Sequence, residues 1–541
     1  GQPRAARDLV MATVTTALDE EDQIALNRLA GVAFAALGEH DDAEDYLSGM
    51  INRARVRQMV PEFAEAVADL LVWLPMIPDR TRLELIEEAL RALPQLHERS
   101  AVRLLSAAAN TLVHVDHDRA MALWAQADAL DWRSFERSAA TDVLALPVLH
   151  GCQADQDAIA EAVHELDGLD QRFGHGAALA AVGRLSLALI RGTRDQITRA
   201  LMHLDAALRR WPSPELAAYG AAARMALARF DADHLQLAAL TEDPTWLQAP
   251  PQSHAGVLLG VGHLLWQQAL GELPPLSDEA ARACQVNAPR SRLDMELTAL
   301  GINAMANPDL EGELRRRLDA MATDCDAVPR DHRWAGELAA MAAFAGVVGD
   351  VILATRAADL LQPHLEEMAV VLPTGVSGPV GLHVAHARIA AGDTVAAMVA
   401  TDAALRCCER VGAPSWEALT RLVQARIALL EQRPEEARAA LETITRLTGQ
   451  GSMPRVQADA QRLEAQLDAL GCTGAGSPYM LSERELEVLG LVSAGATNRQ
   501  VARTLSISEK TVEYHLAGAF RTLGAANRTE AVELARRAAL L

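Results

Sequence analysis

The sequence predicts an all-α protein, a helical-hairpin repeat solenoid followed by a small four-helix domain, and three observations carry that expectation. Half of the 541 residues are apolar but only 4% are aromatic, and Ala and Leu dominate, which favours closely packed helices over sheet. Small and large apolar residues recur in register through the middle of the chain. Residues 481–541 then mark the start of each helix with capping chemistry.

From the N-terminus, Gly31, Phe34, Leu37-Gly38, Ala43, Leu47 and Met50 form a tetratricopeptide-like pattern: small residues let two antiparallel helices approach and larger ones fill between them. Weaker versions lie around Ala108, Ala120, Trp124 and Ala127, around Ala200, Leu204, Ala207 and Pro212, and around Ala342, Gly349, Ala354 and Leu361. The clearest tandem is later. Ala385, Gly392, Ala397 and Ala404 are followed, at a shift of 40 residues, by Ala425, Gln432, Ala437, Leu441 and Ile444. That shift exceeds the standard tetratricopeptide repeat of about 34, so these read as degenerate helical hairpins. An Ala-rich helical domain without true repeats is the alternative; either way the class is all-α.

Pro75 and Pro78, Trp211-Pro212-Ser213-Pro214, Ala249-Pro250-Pro251 and Leu273-Pro274-Pro275 mark turns. The stretch from Pro373 to Pro379 reads as a longer loop, either an ordinary connection between repeats or a place where the solenoid bends or a ligand binds. A charged helix from Arg455 to Leu470 ends the repeat region, 1–470. Gly471 to Pro478 opens a flexible linker, 471–480.

A net charge of −22 excludes a protein that coats nucleic acid or membrane surfaces generally. Residues 481–541 hold eight basic and seven acidic side chains, about +1, which leaves −23 for the rest. Any nucleic-acid contact is therefore expected to be local. There is no signal peptide and no 18-residue uncharged apolar run, and Cys152, Cys284, Cys325, Cys407, Cys408 and Cys472 show no C-x-x-C spacing. A reducing cytoplasm is the expected location, with no membrane partner. Adjacent Cys407-Cys408 read as small core residues rather than a redox sensor. The chain begins at Gly1 without Met, which suggests a piece of something longer.

Lys510 is the sole lysine, and a Walker A loop needs a lysine to reach the β- and γ-phosphates. No P-loop is present. His114, Asp116, His117 and Asp118 lie where a hairpin connection needs polar residues, and Gly174-His175-Gly176 reads as a turn. With no G-x-S-x-G either, no catalytic, cofactor-binding or metal residue is assigned, and an enzyme is not expected.

At the C-terminus, Ser482 with Glu485, Thr497 with Gln500 and Asn527 with Glu530 have capping-box spacing. Ser508 caps a further helix, bracketed by Ile507 and Val512 as Leu481 and Leu486 bracket the first. Gly495 and Gly524 follow helix ends, where a left-handed residue closes a helix cheaply. Helices predicted from Asn498 to Leu505 and from Glu509 to Leu523 are joined only by Ser506, Ile507 and Ser508, the spacing of a helix-turn-helix. Val512, Leu516, Ala519, Phe520 and Leu523 would pack on Leu486, Leu489, Val492, Val501 and Leu505. Glu509, Lys510, Glu513, Tyr514, Ala517 and Arg521 occupy the other face, on a helix roughly 20 Å long, enough to lie in a major groove.

With those residues in place, the run from Leu481 to Leu534 resembles the LuxR-type DNA-binding domain almost end to end. Arg484-Glu485, Val488-Leu489, Gly495, Asn498, Ala502, Leu505, Ile507-Ser508, Thr511-Val512, His515, Leu523 and Asn527-Arg528 stand at that family's spacing. The resemblance implies a recognition helix from Glu509 and a DNA-binding set of Asn498, Arg499, Arg503, Ser508, Lys510, Thr511, Glu513, Tyr514, Ala517, Arg521 and Arg528. Arg499, Arg503, Arg521 and Arg528 would hold phosphates; Lys510, Glu513 and Tyr514 would read or select bases. It also implies dimerisation through the last helix, along Ala531, Leu534, Ala535 and Ala538. Relatives often carry basic residues where this chain has Glu513 and Ala517. Glu513 can accept from cytosine N4 but repels phosphate, so an isolated monomer is expected to bind weakly. His515, beside Val512 and Leu516, is read as partly buried structure rather than a pH sensor or phosphate contact.

The middle of the chain resembles the sensor region of large regulators of this kind, most clearly over 340–470. The implied protein is a transcriptional regulator with double-stranded DNA as partner, a homodimer on an inverted repeat, and RNA polymerase or a protein or small-molecule effector at the repeat region. Two alternatives remain: a repeat scaffold whose main partner is a protein, and the C-terminal part of a nucleotide-hydrolysing switch whose ATPase module lies elsewhere.

Overall fold

A computed structural model of the chain describes residues 3–13, 20–75, 78–135, 137–169, 174–248, 258–260, 262–265, 277–278, 289–305, 307–320, 325–371, 374–449, 453–472, 481–505, 507–523, 525 and 527–537. The turns expected at 249–251 and 273–275, the linker residues 473–480, Gly524 and Ala538 lie outside these. The described residues are helical save for short 3-10 turns, connecting turns and one antiparallel pair of strands.

Helices pair as hairpins along the repeat region: Glu20–Leu37 with His40–Val56, Glu98–Leu112 with His117–Asp128, Gly174–Arg191 with Arg194–Arg210, Val380–Ala390 with Thr394–Val411, and Pro414–Leu430 with Pro434–Leu447. Gly31 shows why the small residues matter. A Cβ there would stand 2.6 Å from Leu47 Cγ on the paired helix. The hairpin turns share one device. Gly38, Gly349 and Gly392 are left-handed at φ 80°, 71° and 76°, and Ala232 and Gln432 take the same conformation at 53° and 57°. Across the turn, Asp350 N–H reaches Ala345 O, Asp393 reaches Arg388 O and Asp233 reaches Ala228 O, each at 2.9 Å. The Asp350, Asp393 and Asp233 side chains then accept from the amides of Leu353, Ala396 and Gln236, capping the next helix. Gly392 and Gln432 occupy equivalent places in the 40-residue tandem.

Inside the first hairpins, an ion ladder crosses four first helices. Arg28 Nε meets Asp69 Oδ2 at 2.5 Å, Arg103 Nη2 donates to Asp69 Oδ1 at 2.7 Å, and Arg103 Nε donates to Asp142 Oδ2 at 3.0 Å. Asp69, Arg103 and Asp142 are buried. Burial disfavours the Arg103 charge, but the two carboxylates outweigh it and raise its pKa.

Within the stretch expected as a loop from Pro373 to Pro379, Gly375–Pro379 is a strand instead, and Pro373 lies outside the described residues. Met368–Val371 and Gly375–Pro379 pair antiparallel, with a bulge between Ala369 and Val370. This hairpin packs against Gly174–Arg191, Pro214–Phe230 and Trp334–Val347, tying early repeats to late ones. Its register comes from elsewhere in the chain: Gln153 donates to Met368 O at 2.9 Å and accepts from Val370 N at 3.0 Å, acting as a strand edge, while Arg229 Nη2 donates to Val376 O at 2.5 Å. Gly378, at φ 119°, passes so close to Trp416 that a Cβ would lie 2.7 Å from the ring.

Cys407 and Cys408 are free and buried, and burial raises both thiol pKa values, Cys407 to about 11. Asp116 caps the helix His117–Asp128. The last repeat helix runs Pro454–Cys472, two residues past the predicted end.

Candidate nucleic-acid interface

The C-terminal domain has its own core, in which Leu481, Val488, Leu489, Val492, Val501, Val512, Leu516, Ala519 and Leu523 are buried together. Its helices are Glu483–Ser493, Asn498–Thr504, Glu509–Leu523 and Arg528–Arg537. Both expected reciprocal boxes at the first two helices form. Ser482 N–H donates to Glu485 Oε2 at 2.8 Å while Glu485 N–H donates to Ser482 Oγ at 3.2 Å, and Thr497 and Gln500 exchange the same pair at 2.8 and 3.3 Å. Ser508 Oγ accepts from Thr511 N at 3.0 Å, and Asn527 Oδ1 from Glu530 N at 3.0 Å. Gly495 is left-handed at φ 89°, closing the first helix as expected. Gly518 was not singled out by the sequence reading. A Cβ there would stand 2.1 Å from Glu485 Oε1, the outer end of a flexible side chain of the first helix.

The third helix exposes Lys510, Glu513, Ala517 and Arg521 together, with Arg499 and Arg503 exposed on the helix before it. Ser508 and Thr511 hydroxyls lie 2.7 Å apart, and Thr511 is buried, so both serve the turn. Arg528 Nη1 donates to Asn498 Oδ1 at 2.9 Å and Nη2 donates to Ala496 O, tying the fourth helix to the second. Ala531 and Ala535 are fully buried in their own domain, with Leu534 packed at its margin.

Residues 479–535 match the family profile described as bacterial regulatory proteins, luxR family. They form a LuxR-family helix-turn-helix domain. Over 56 residues, 10% of this chain and 26% of the relative, the chain is 45% identical to the "CsgBAC operon transcriptional regulatory protein" of Escherichia coli K12 and to the "Probable csgAB operon transcriptional regulatory protein" of Salmonella typhimurium LT2. It is 40% identical over 57 residues, 10% of this chain and 6% of the relative, to the "HTH-type transcriptional regulator MalT" of Yersinia pestis Pestoides F. The matched stretch thus spans about a quarter or less of these relatives. A solved structure, the APC/C hetero-tetramer Cut9–Hcn1, covers 86% of this chain and 92% of its own at 11% identity, with a TM-score of 0.31, too low to bear on the fold.

The LuxR-family domain rests against the repeat region through its recognition helix. The Tyr514 hydroxyl donates to the backbone carbonyl of Ala390. A Cβ on Gly392 would stand 2.5 Å from Arg521 Nη1, and one on Gly349 would lie 3.9 Å from the Tyr514 ring. Both glycines belong to the left-handed hairpin turns, which present backbone rather than side chains at the contact. Beside them, Arg315 of the helix Glu311–Ala320 adds its field to that of Arg484 at His515, whose pKa burial has already pushed down, to about 4 in all; Glu487 opposes the shift. Burial raises the Glu311 carboxyl, with Arg484 opposing.

Proposed function

We propose that this chain is a DNA-binding transcriptional regulator whose recognition helix is held against its own repeat region until an effector releases it. The observation that carries the reading is the recognition helix itself: on a LuxR-family helix-turn-helix, Tyr514 and Arg521 project from the face that would meet DNA, and both are at the repeat-region contact. One surface cannot meet a major groove and these hairpin turns together. An acidic repeat region adds repulsion toward phosphate.

Released, two such domains would pair through the last helix, around the half-buried Leu534, and set recognition helices about 34 Å apart on an inverted repeat. Arg499, Arg503 and Arg521 would hold phosphates, and Lys510 and Glu513 would reach base edges. Selecting random duplex DNA with the full chain and with Lys510→Ala tests this. An inverted repeat enriched by residues 481–541, more weakly by the full chain, and lost in the variant supports the reading; no enrichment from residues 481–541 overturns it.

A further inference from the structure

We propose that the repeat region binds a small monovalent anion, of the size of chloride, at a buried arginine where an early hairpin meets a late one. The inference stands independently of the DNA-binding reading. Helix Pro214–Phe230 packs against Pro414–Leu430, and residues of both line a cavity of about 20 Å³. A cavity of that measure holds one water-sized occupant or little more, so it is too small for an organic effector.

Arg229, in the cavity lining, carries the inference. It is 6% exposed, and its Nη2 donates to the Val376 carbonyl, while Nε and Nη1 are buried without a hydrogen-bond partner. The lining holds no Asp or Glu. Burial lowers the Arg229 pKa to about 10, with no carboxylate opposing the shift among the described residues. The guanidinium is therefore still charged at pH 7, and a buried charge without a counter-charge is costly. An anion from solution supplies that counter-charge and accepts from the two idle N–H groups.

The facing helix offers further donors. Trp416 and Ser415 line the cavity too, and the Trp416 indole Nε1 is buried without a partner. They are the third and second residues of Pro414–Leu430, which starts without a side-chain cap, so its positive N-terminal end adds to the same site. His234 is the other titratable residue of the lining; burial lowers its pKa, with Asp233 opposing, so it is mostly neutral at pH 7. One full positive charge thus faces a wall completed by Leu237 and Leu419, where the second charge of sulfate or phosphate would go unpaired. A monovalent anion neutralises Arg229 and bridges it to the late helix, so the junction of early and late repeats becomes more stable as the anion binds.

The test uses the full chain without DNA and follows two readouts: the chloride NMR line width, which broadens on binding, and the thermal unfolding midpoint in sodium chloride against sodium gluconate at equal ionic strength. Expected are a broadened chloride line that nitrate narrows by displacement and sulfate leaves broad, and a midpoint higher in chloride than in gluconate. Arg229→Gln removes the charge but keeps a side-chain N–H for Val376; it should weaken chloride at least fivefold and make the midpoints equal. Trp416→Phe, which keeps a ring and removes one donor, should weaken chloride at least twofold. No broadening, displacement by sulfate as effective as by nitrate, equal midpoints in the parent chain, or chloride binding unchanged in Arg229→Gln would each overturn the proposal. If Arg229→Gln does not fold, unchanged chloride binding in Trp416→Phe overturns it.

Discussion

Tyr514 of the recognition helix is bonded to the Ala390 carbonyl of a hairpin turn 124 residues away in sequence. The adjoining turn residues Gly349 and Gly392 are left-handed glycines, so the contact is made against bare backbone. Asparagine tolerates that conformation and preserves the turn, but adds a side chain where Tyr514 and Arg521 sit. The Gly349→Asn, Gly392→Asn chain is expected to bind its DNA site roughly fivefold or more tightly than the parent, the scale of an ordinary coupling energy. Fluorescence anisotropy at one salt concentration measures it. Equal affinity would mean the contact does not gate binding.

Arg521 serves both states in this scheme, so its DNA role has to be read where the contact is already broken. In the double-asparagine background, Arg521→Ala should weaken binding to all sequences alike and lower the slope of log K against log salt by about one phosphate's worth. A loss confined to one base position, with the slope intact, would assign Arg521 to base readout instead.

His515 makes the contact pH-dependent, and the sign follows from its depressed pKa. Burial, then Arg484 and Arg315, hold it at about 4 against the usual 6.5, with Glu487 opposing; Tyr514 and Glu311 are the other titratable groups beside it. A form that releases His515 binds a proton between those two values and the docked form does not, so the stability that neutral His515 lends the contact is fully present above pH 6.5 and is lost as pH falls toward 4. Hydrogen exchange of the recognition helix, corrected for intrinsic rates, should increase between pH 7.5 and 5.5. His515→Gln should flatten the change.

Local chemistry was legible in the sequence and long-range closure was not. Ser482, Thr497 and Ser508 marked their helices because a cap and its partner lie three residues apart, and the 40-residue tandem through Gly392 and Gln432 marked repeating hairpins. The strand from Gly375 was misread as a loop because its register comes from Gln153 and Arg229, far away in sequence. Two glycines and a proline in that strand also look like turn residues. Of the residues proposed to meet DNA, the exposure of Lys510 and Glu513 could be read from helical spacing. The internal bond between Arg528 and Asn498 could not, since an exposed arginine and one tying two helices look alike in one dimension.

The ion ladder belongs to that illegible class, and its energetics can be predicted from its burial. Arg103 sits between Asp69 and Asp142 with all three side chains nearly inaccessible to water, and Asp142 relies on that guanidinium for its ion pair while Asp69 shares it with Arg28. Arg28 reaches Asp69 and Glu65 from the ladder's edge. Replacing Arg103 by Met keeps the length of the side chain but leaves two acids facing each other in a low-dielectric interior. That change should cost about 3–5 kcal/mol, the usual penalty for stranding a buried charge. Adding Asp69→Asn and Asp142→Asn removes the stranded charges and should recover much of the loss, although each acid replaced alone in the parent destabilises. Denaturant unfolding of the repeat region across this set measures the coupling, and additive effects would mean that the ladder does not act as a unit.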